Sequence, residues 1–224
     1  QVDRGTKDGW IDVYENQGKT SGAYSFGSYD SKPYILLNYT DTLKDVFTIV
    51  HEMGHSMHSY YTRRTQPFTY GDHSIFTAEV ASTVNESLLM HHLLDKETNE
   101  TMRRYLINYY IEEFRTTLFR QTMFAEFEML THKEVENGGV LTAEWMCKLY
   151  NDLNHQYFGS ALAPDDYIQY EWARIPHFYR AFYVYQYATG YSAATAISAK
   201  ILAEGEAARK NYIEFLKSGS SNDP

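Results

Sequence analysis

Apolar residues between positions 43 and 61 recur with the spacing of one helix face, and no other feature constrains the fold of this chain so strongly. The residues on this face are Leu43, Val46, Phe47, Val50, Met53, Met57 and Tyr61. Because positions three and four residues apart lie on the same side of an α-helix, the pattern predicts an amphipathic helix from about residue 42. Asp41 or Thr42 is the expected N-cap, since either side chain can accept a hydrogen bond from the first turn.

The rest of the chain shows more helical patterns than strand patterns. We expect further helices over residues 72–95, 99–136, 142–158, 168–187 and 192–215, with interruptions near Pro176, Gly190 and Gly205. Residues 10–39 are rich in Gly, Ser, Tyr and Asp and include a β-favouring stretch at 34–39. The sequence therefore predicts a mainly α fold with a small β element near the start of the chain.

Residues 51–55 read HEMGH, an HExxH pattern in the middle of the first predicted helix. Residues four apart lie one above the other on a helix, so the imidazoles of His51 and His55 can aim at one point. Zinc favours neutral imidazole nitrogens and carboxylate oxygens, and a catalytic zinc site leaves one position to water. The pattern predicts such a site with one zinc ion per chain, and Glu52 as the general base that takes a proton from that water.

Glu79 is the expected third ligand. It lies on the second predicted helix, separated from His55 by 23 residues, and a carboxylate on a helix packed beside the first can reach the metal. The alternative is a solvated helix residue, although Phe76 and Val80 favour a buried face. Gly54 indicates that something packs tightly against the first helix, because glycine inside a helix is destabilising and usually marks a close approach.

Two further residues are candidates for supporting the ligands. His58 lies one turn beyond His55 on the same face, where a role behind the ligands or in the core is expected rather than direct ligation. Glu86 lies seven residues after Glu79, shares its face, and can accept the second ring proton of a ligand histidine. An exposed helix carboxylate is the alternative for Glu86.

Longer stretches around these residues resemble a known family. They read HEMGHSMHSYYTRR from position 51 and QPFTYGDHSIFTAEVASTVNESLL from position 66, with similar stretches beginning at positions 9 and 174. Over nearly its whole length the chain resembles the M3 family of zinc metallopeptidases, most closely its oligoendopeptidase F group. The resemblance implies a mainly helical, zincin-like catalytic region that cleaves short peptides internally in the cytosol. It also implies His51, His55 and Glu79 as zinc ligands and Glu52 as base.

The resemblance also bears on domain organisation. Members of the family are usually far longer, with a large helical portion before the zinc region, so the chain looks like a C-terminal catalytic portion that lacks the N-terminal one. We expect a single catalytic domain over residues 1–224. Its expected parts are a small β and turn region at 1–41, a helical zinc-binding region at 42–217 and a tail at 218–224.

Substrate contacts are expected in two segments. The resemblance implies that His and Tyr side chains of the downstream aromatic segment stabilise the oxyanion, and His177 is the first candidate. Tyr179, Tyr183 and Tyr187 are spaced four residues apart and would share one helix face, with packing as the alternative for each. Residues 34–39 could pair with an extended peptide as an added strand, and an ordinary sheet strand, the alternative, is compatible with that pairing.

Composition narrows the partners and the compartment. A net charge of −9 and a pI near 5.4 argue against binding to nucleic acid or to an anionic membrane surface. Cys147 is the only cysteine, so no internal disulfide can form, and no stretch is apolar enough to span a membrane. With no signal peptide in the sequence, a soluble cytoplasmic protein acting on short peptides is expected.

Three other functions remain open. Zinc carboxypeptidases and dipeptidases also combine HExxH with a distant glutamate and differ in how they recognise peptide ends. A metal-binding fragment that is inactive without its missing N-terminal portion is the second, in which zinc contributes to folding. The third is a helical interaction module in which the motif is a coincidence.

Overall fold

The structure is a computed structural model that describes residues 2–160, 163 and 165–221, apart from the side chains of residues 2–4 and 75. The chain divides into two compact units, Gln1–Ile107 with Gly190–Pro224, and Asn108–Thr189. Helices dominate both units, so the predicted mainly α fold with a small β element is confirmed. The single catalytic domain over 1–224 stays a prediction, and residues 222–224 of its expected tail lie outside the described residues.

A three-stranded sheet lies near the start of the first unit, after helix α1 (Val2–Lys7). Its strands are β1 (Ile11–Asp12), β2 (Tyr24–Phe26) and β3 (Tyr34–Leu36), in the spatial order β1-β3-β2. Strand β3 pairs parallel with β1 and antiparallel with β2. Because both sides of β3 are occupied, Tyr34–Leu36 is an ordinary inner strand, and the expectation that these residues accept a peptide as an added strand is wrong. For residues 37–39 it stays a prediction. The outer edges of the sheet belong to β1 and β2.

Helix α2 (Leu43–Thr65) carries the HEMGH sequence and begins where the sequence predicted. Thr42 is its N-cap: the Thr42 hydroxyl accepts the Asp45 N–H at 3.2 Å, and the Asp45 carboxylate accepts the Thr42 N–H at 3.0 Å. Hydrogen bonds from the Thr42 hydroxyl and the Thr42 N–H to the Asp45 carboxylate lower the pKa of Asp45 to about 2, so the carboxylate of the capping box stays ionised at all but strongly acidic pH. The helix joins the sheet through a buried cluster formed by Ile35, Leu37 and Met53.

Helix α3 (Ile75–Lys96) packs against α2 and begins slightly later than the predicted residue 72. The two backbones approach closely at Gly54. A Cβ atom placed on Gly54 would lie 2.5 Å from the Ser82 Cα and 2.7 Å from the Ala81 carbonyl oxygen. No side chain fits in that space, so the expected tight packing at Gly54 is confirmed, and its partner is the backbone of α3.

Two helices near the end of the chain complete the first unit. They are the part of α7 (Tyr185–Glu204) from Gly190 onward, and α8 (Glu206–Lys217). Ala194 of α7 is fully buried against Val80 and Val84 of α3. Helix α8 is tied to the end of α2, because the Thr62 hydroxyl donates to the Leu216 carbonyl at 2.9 Å. Helix α2 is thus held by the sheet, by α3 and by α8.

The second unit contains the long helix that the sequence predicted over 99–136. It consists of α4 (Glu100–Glu113), which begins in the first unit, a π-helical turn (Phe114–Phe119) and α5 (Arg120–Glu136). Helix α6 (Ala143–Phe158) follows, with the Thr142 hydroxyl accepting the Trp145 N–H at its start. The core of this unit is formed by Met123, Phe124, Phe127, Tyr150, Leu153, Ile175 and Val184.

The predicted helix over 168–187 is wrong. The structure has two short 3₁₀ segments, Ile168–Arg174 and Pro176–Tyr179, and α7 begins only at Tyr185. Pro176 keeps Ile175 extended, at φ −90° and ψ 104°, and Phe182 adopts a positive φ of 58°. The break expected near Gly190 is also wrong, since Gly190 lies inside α7, whereas the break at Gly205, φ 65°, is confirmed.

Candidate metal centre

Helix α2 brings His51 and His55 together as successive turns of one face. Their Nε2 atoms lie 3.1 Å apart, and the two rings stand nearly perpendicular, with an interplanar angle of 82°. Two neutral imidazoles meeting through these atoms can share at most one hydrogen bond, because each Nε2 either donates or accepts. The Nε2 atoms of the two rings therefore face a common point, as the HExxH spacing predicts.

Helix α3 brings the carboxylate of Glu79 to the same point. Glu79 Oε2 lies 3.3 Å from His51 Nε2 and 3.8 Å from His55 Nε2. The Ser82 hydroxyl donates to Glu79 Oε2 at 3.1 Å, which fixes the carboxylate from within its own helix. One donor atom from each of the three residues thus falls within 4.8 Å of the others.

These separations fit one small cation. Zinc bound tetrahedrally at about 2.0–2.1 Å keeps its donor atoms about 3.4 Å apart. The observed separations are 3.1, 3.3 and 3.8 Å. Two imidazole nitrogens and one carboxylate oxygen are also ligands that zinc prefers.

The electrostatics of the cluster point to the same conclusion. Burial lowers the pKa of His51, but hydrogen bonds to Glu79 and Glu86 outweigh it and raise this pKa to about 10. Burial likewise opposes the shift at Glu79, whose bond to His51 helps lower its pKa to about 2. Burial and the charge of His51 lower the pKa of His55 to about 4. The site therefore favours one positive charge among carboxylates, which a proton or a metal cation can supply.

Glu86 lies behind His51, on the side away from Glu79. Its Oε1 atom is 3.2 Å from His51 Nδ1, while Glu79 approaches Nε2. An acceptor at Nδ1 fixes the tautomer that leaves Nε2 free for a metal. The sequence predicted this contact from helix spacing, and its role in metal binding stays a prediction.

The carboxyl group of Glu52 is buried. The residue is 6% exposed, and its Oε2 has no hydrogen-bond partner among the described residues. The Ser25 N–H of β2 donates to this carboxylate. Burial, more than any other effect, raises the pKa of Glu52 above its usual value. A carboxylate with a raised pKa, next to a metal ligand in sequence, suits the general-base role that the sequence predicts.

His58 is a core residue in this structure. It is 1% exposed and its ring stacks on that of His73, with centroids 3.8 Å apart, while Phe215 packs at 5.5 Å. Burial lowers the pKa of His58 to about 2, so its ring is neutral at physiological pH. The contacts therefore show His58 in a packing role, and a role behind the metal ligands stays a prediction.

Three of the four aromatic candidates form a cluster in the second unit. The Tyr187 hydroxyl lies 3.5 Å from His177 Nε2 and 3.4 Å from the Tyr183 hydroxyl, and the His177 and Tyr183 rings stack at 5.9 Å. Tyr179 is 90% exposed and lies in a 3₁₀ segment. The expectation that Tyr179, Tyr183 and Tyr187 share one helix face is wrong, because only Tyr187 lies within an α-helix.

The comparison with known sequences identifies the family. A profile of peptidase family M3 matches residues 1–224. The chain belongs to peptidase family M3. Within the family it is 56% identical over 220 residues to Oligopeptidase PepF of Bacillus subtilis (strain 168), covering 98% of this chain and 33% of that protein. It is 53% identical over 215 residues to the chromosomal Oligoendopeptidase F of Lactococcus lactis subsp. cremoris, covering 96% and 36%.

Solved structures agree with the assignment to family M3. The crystal structure of oligoendopeptidase-F from Enterococcus faecium is 47% identical, with a TM-score of 0.71, over 81% of this chain and 32% of that one. A crystal structure from Chlamydophila abortus gives a TM-score of 0.91 at 48% identity, over 100% of this chain and 38% of that one. The chain spans about one third of the length of the curated relatives it matches.

Three residues near the candidate metal centre or His58 were not predicted from the sequence. Ser25 reaches Glu52 through its backbone N–H, which no side-chain pattern reveals. His73 stacks on His58 from the loop before α3, and a loop residue carries no periodicity. Ser82 could have been found, because it follows Glu79 by three residues and therefore lies on the same helix face.

Proposed function

We propose that the chain is the catalytic region of a zinc-dependent endopeptidase that hydrolyses internal peptide bonds of short oligopeptides. The observation that carries the proposal is the convergence of His51, His55 and Glu79 donor atoms within 4.8 Å, with buried Glu52 next to His51. Membership of peptidase family M3 supports a peptidase, and curated relatives named oligopeptidase or oligoendopeptidase support short peptides as substrates.

Each residue of the candidate metal centre has a separate role in the proposed hydrolysis. Zinc, when bound by His51, His55 and Glu79, supplies a Lewis acid and lowers the pKa of a coordinated water. Glu52 takes a proton from the attacking water and returns it to the amide nitrogen as the peptide bond breaks. The raised pKa of Glu52 favours both transfers, because a pKa closer to neutral pH lets the carboxyl group both accept and release a proton. Glu86 accepts the Nδ1 proton of His51 and so keeps Nε2 as the ligand atom.

The aromatic cluster is proposed to stabilise the oxyanion. Tyr183 and Tyr187 carry hydroxyl donors within 3.4 Å of each other, and His177 adds a ring nitrogen 3.5 Å from the Tyr187 hydroxyl. Donors held in place before the reaction stabilise developing negative charge without the cost of reorganisation. Tyr179 is exposed and outside this cluster, so its role as a donor is not part of the proposal.

The proposal is tested by exchanging the base while keeping the ligands. Zinc is measured by elemental analysis and cleavage by hydrolysis of an internally quenched fluorescent peptide. We expect one zinc ion per chain, and Glu52→Gln should retain the metal while turnover falls by about 10²-fold or more. Glu144→Gln, an exposed carboxylate at the start of α6, is the matched control and should cleave at the parental rate. Cleavage by the Glu52→Gln variant at the parental rate would rule out the assignment of the base.

A second function is favoured by the length of the relatives, about three times that of this chain. It is a zinc-binding region that requires the further residues of such proteins for activity. In that case the chain binds one zinc ion and cleaves no peptide until those residues are supplied. Peptides blocked at either end separate an endopeptidase from a carboxypeptidase or a dipeptidase, because only the endopeptidase cleaves both forms.

The location of the protein in the cell and its binding partners are also proposals. Within residues 2–160, 163 and 165–221, no helix combines the length and apolar content that crossing a membrane requires. The proposed partners are short peptides, with neither nucleic acid nor membrane, and the proposed location is the cytoplasm. Measuring the distribution of the protein between cell fractions tests the location.

A further inference from the structure

A buried carboxylate in the second unit is not used by the chemistry proposed above. Glu128, on α5, is 5% exposed, and its Oε1 accepts the N–H of Phe182 at 2.8 Å. Burying a carboxylate is unfavourable unless hydrogen bonds replace its water. A charge-assisted bond to a backbone N–H is among the stronger hydrogen bonds in proteins. The bond therefore ties α5 firmly to the chain at Phe182.

The bond falls on a strained residue. Phe182 has a φ of 58°, a conformation that a bulky residue without a special constraint rarely adopts. Its side chain is 53% exposed, so burial of the ring does not account for this conformation. The ring of His132, also on α5, packs against the Phe182 ring, with the two ring centroids 4.7 Å apart. The backbone bond to Glu128 offsets the strain together with the bond from the Tyr183 N–H to the Arg180 carbonyl, at 3.2 Å, which closes the turn.

The strained turn immediately precedes Tyr183 of the aromatic cluster. Tyr183 follows Phe182, and fully buried Val184 then anchors the chain in the core before α7 begins. The direction of the Tyr183 side chain is thus fixed between the Phe182 turn and the Val184 anchor. Tyr183 in turn contacts Tyr187 edge-on, with ring centroids 5.5 Å apart.

We propose that Glu128 is a positioning residue: by holding the Phe182 N–H, it keeps the left-handed turn that orients Tyr183 against Tyr187 and His177. The inference rests on the proposed function of these tyrosines only for its effect on catalysis. The orientation itself is a property of the second unit. A carboxylate 54 residues away in sequence thereby sets the geometry of the oxyanion donors.

Two variants of Glu128 test the inference on the zinc-loaded chain. Glu128→Met removes the acceptor, and Glu128→Asp keeps the charge but shortens the side chain, so that folding is preserved if the Met variant fails to fold. We expect amide exchange at residue 182 to accelerate at least about tenfold, and nuclear Overhauser contacts between the Tyr183 and Tyr187 rings to weaken. Adding Phe182→Gly should restore the ring contacts, because glycine adopts a positive φ without strain.

Glu126→Met is the matched control. Glu126 lies on the same helix and accepts the hydroxyl of Tyr157 at 2.6 Å, so its loss removes a comparable bond from the same unit. The ring contacts of Tyr183 and the exchange at residue 182 should not change in this variant. If they change equally in the Glu126 and Glu128 variants, or in neither, Glu128 does not position the cluster.

Catalysis separates this inference from the proposed function. In a chain that cleaves peptides, Glu128→Asp should lower kcat by about 10- to 100-fold with KM within about twofold, since misplaced donors act on the transition state. Weakened ring contacts with an unchanged kcat would refute the oxyanion role of the tyrosines and leave the positioning role of Glu128 intact. If the chain cleaves no peptide, amide exchange at residue 182 and the ring contacts between Tyr183 and Tyr187 alone decide whether Glu128 positions the cluster.

Discussion

His51 lies between two carboxylates, Glu79 at Nε2 and Glu86 at Nδ1, and both favour a positive charge on its ring. His55, by contrast, is kept neutral, because burial and the charge of His51 oppose a second proton. The cluster therefore favours one proton at neutral pH, on His51. A metal ion bound through His51 Nε2, as proposed, would compete with that proton.

This competition predicts a proton release. Because the pKa of His51 is raised to about 10 and that of His55 is lowered to about 4, zinc binding between pH 5 and 9 should release about one proton per chain. Apparent zinc affinity should therefore rise about tenfold per pH unit in this window and level off as pH passes 10. Calorimetry in buffers of different ionisation enthalpy measures the release. His55→Ala should neither bind zinc nor release the proton, and a release near zero in the parent would contradict the prediction.

The residues of the site could be predicted unevenly from the sequence. His51 and His55 follow from helix spacing alone, because a regular helix fixes the relative positions of its side chains. Glu79, and Glu86 on the same face of α3, required the further expectation that α3 packs beside α2. The Ser25 contact could not be predicted, since it depends on a backbone N–H at the edge of a sheet whose strand order the sequence does not reveal.

At the scale of elements, the distance between α2 and α3 decides whether the Glu79 carboxylate can reach His51 and His55. The approach is set at Gly54, where the backbone of α3 occupies the space that a side chain would need. Gly54 lies between Glu52 and His55 in the sequence, and its partner Ser82 also donates to Glu79. One contact thus fixes both the packing of the helices and the reach of the carboxylate.

Gly54→Ala should therefore lower the free energy of unfolding by about 1–3 kcal/mol, through overpacking against a backbone that cannot yield, and should weaken zinc binding. Gly190→Ala is the matched control, because Gly190 is also inside a helix but a Cβ there would lie at an ordinary 3.5 Å from the Glu79 Cβ. That variant should be neutral or stabilising by up to about 1 kcal/mol. Thermal and denaturant unfolding of both variants give the comparison, and equal losses would refute the packing argument.

Elements with regular periodicity were predicted well, and the segment over 168–187 was not. Its aromatic residues are compatible with helix spacing, yet Pro176 and the left-handed Phe182 interrupt the hydrogen bonds that a helix needs. The proline at position 176 did indicate an interruption, as expected from the sequence. No residue type marks the turn at Phe182, since a bulky residue rarely adopts a positive φ, and the carboxylate that accepts its N–H lies on a distant helix. Long-range contacts of this kind lie outside what sequence periodicity can report.

At the scale of the whole molecule, the first unit is assembled from two separate parts of the chain, Gln1–Ile107 and Gly190–Pro224. The join includes hydrogen bonds from Thr62 to the Leu216 carbonyl, and from Thr65 and Gln66 to the Lys217 carbonyl, at 2.8–2.9 Å. The end of helix α2, which carries the two candidate histidine ligands, is thus tied to the end of α8. Stability at the metal centre and stability at α8 are therefore linked.

Zinc should protect α8 from amide exchange even though α8 contributes no ligand. A ligand that binds only the folded unit stabilises every element that unfolds together with it. We expect exchange across α8 to slow by at least about tenfold when zinc is added in excess, as measured by hydrogen–deuterium exchange. In His55→Ala the same addition should have no effect, and protection in that variant would show that zinc acts elsewhere.

The divided first unit also bears on synthesis by the ribosome. The second unit is one continuous stretch of chain, Asn108–Thr189, whereas α2 must wait for Leu216 and Lys217, which are made about 150 residues later. The second unit can therefore be complete before the first unit, although residues 1–107 of the first unit are synthesised earlier. Until translation reaches α8, His51 and His55 of the nascent chain lack part of the structure that holds α2 in place.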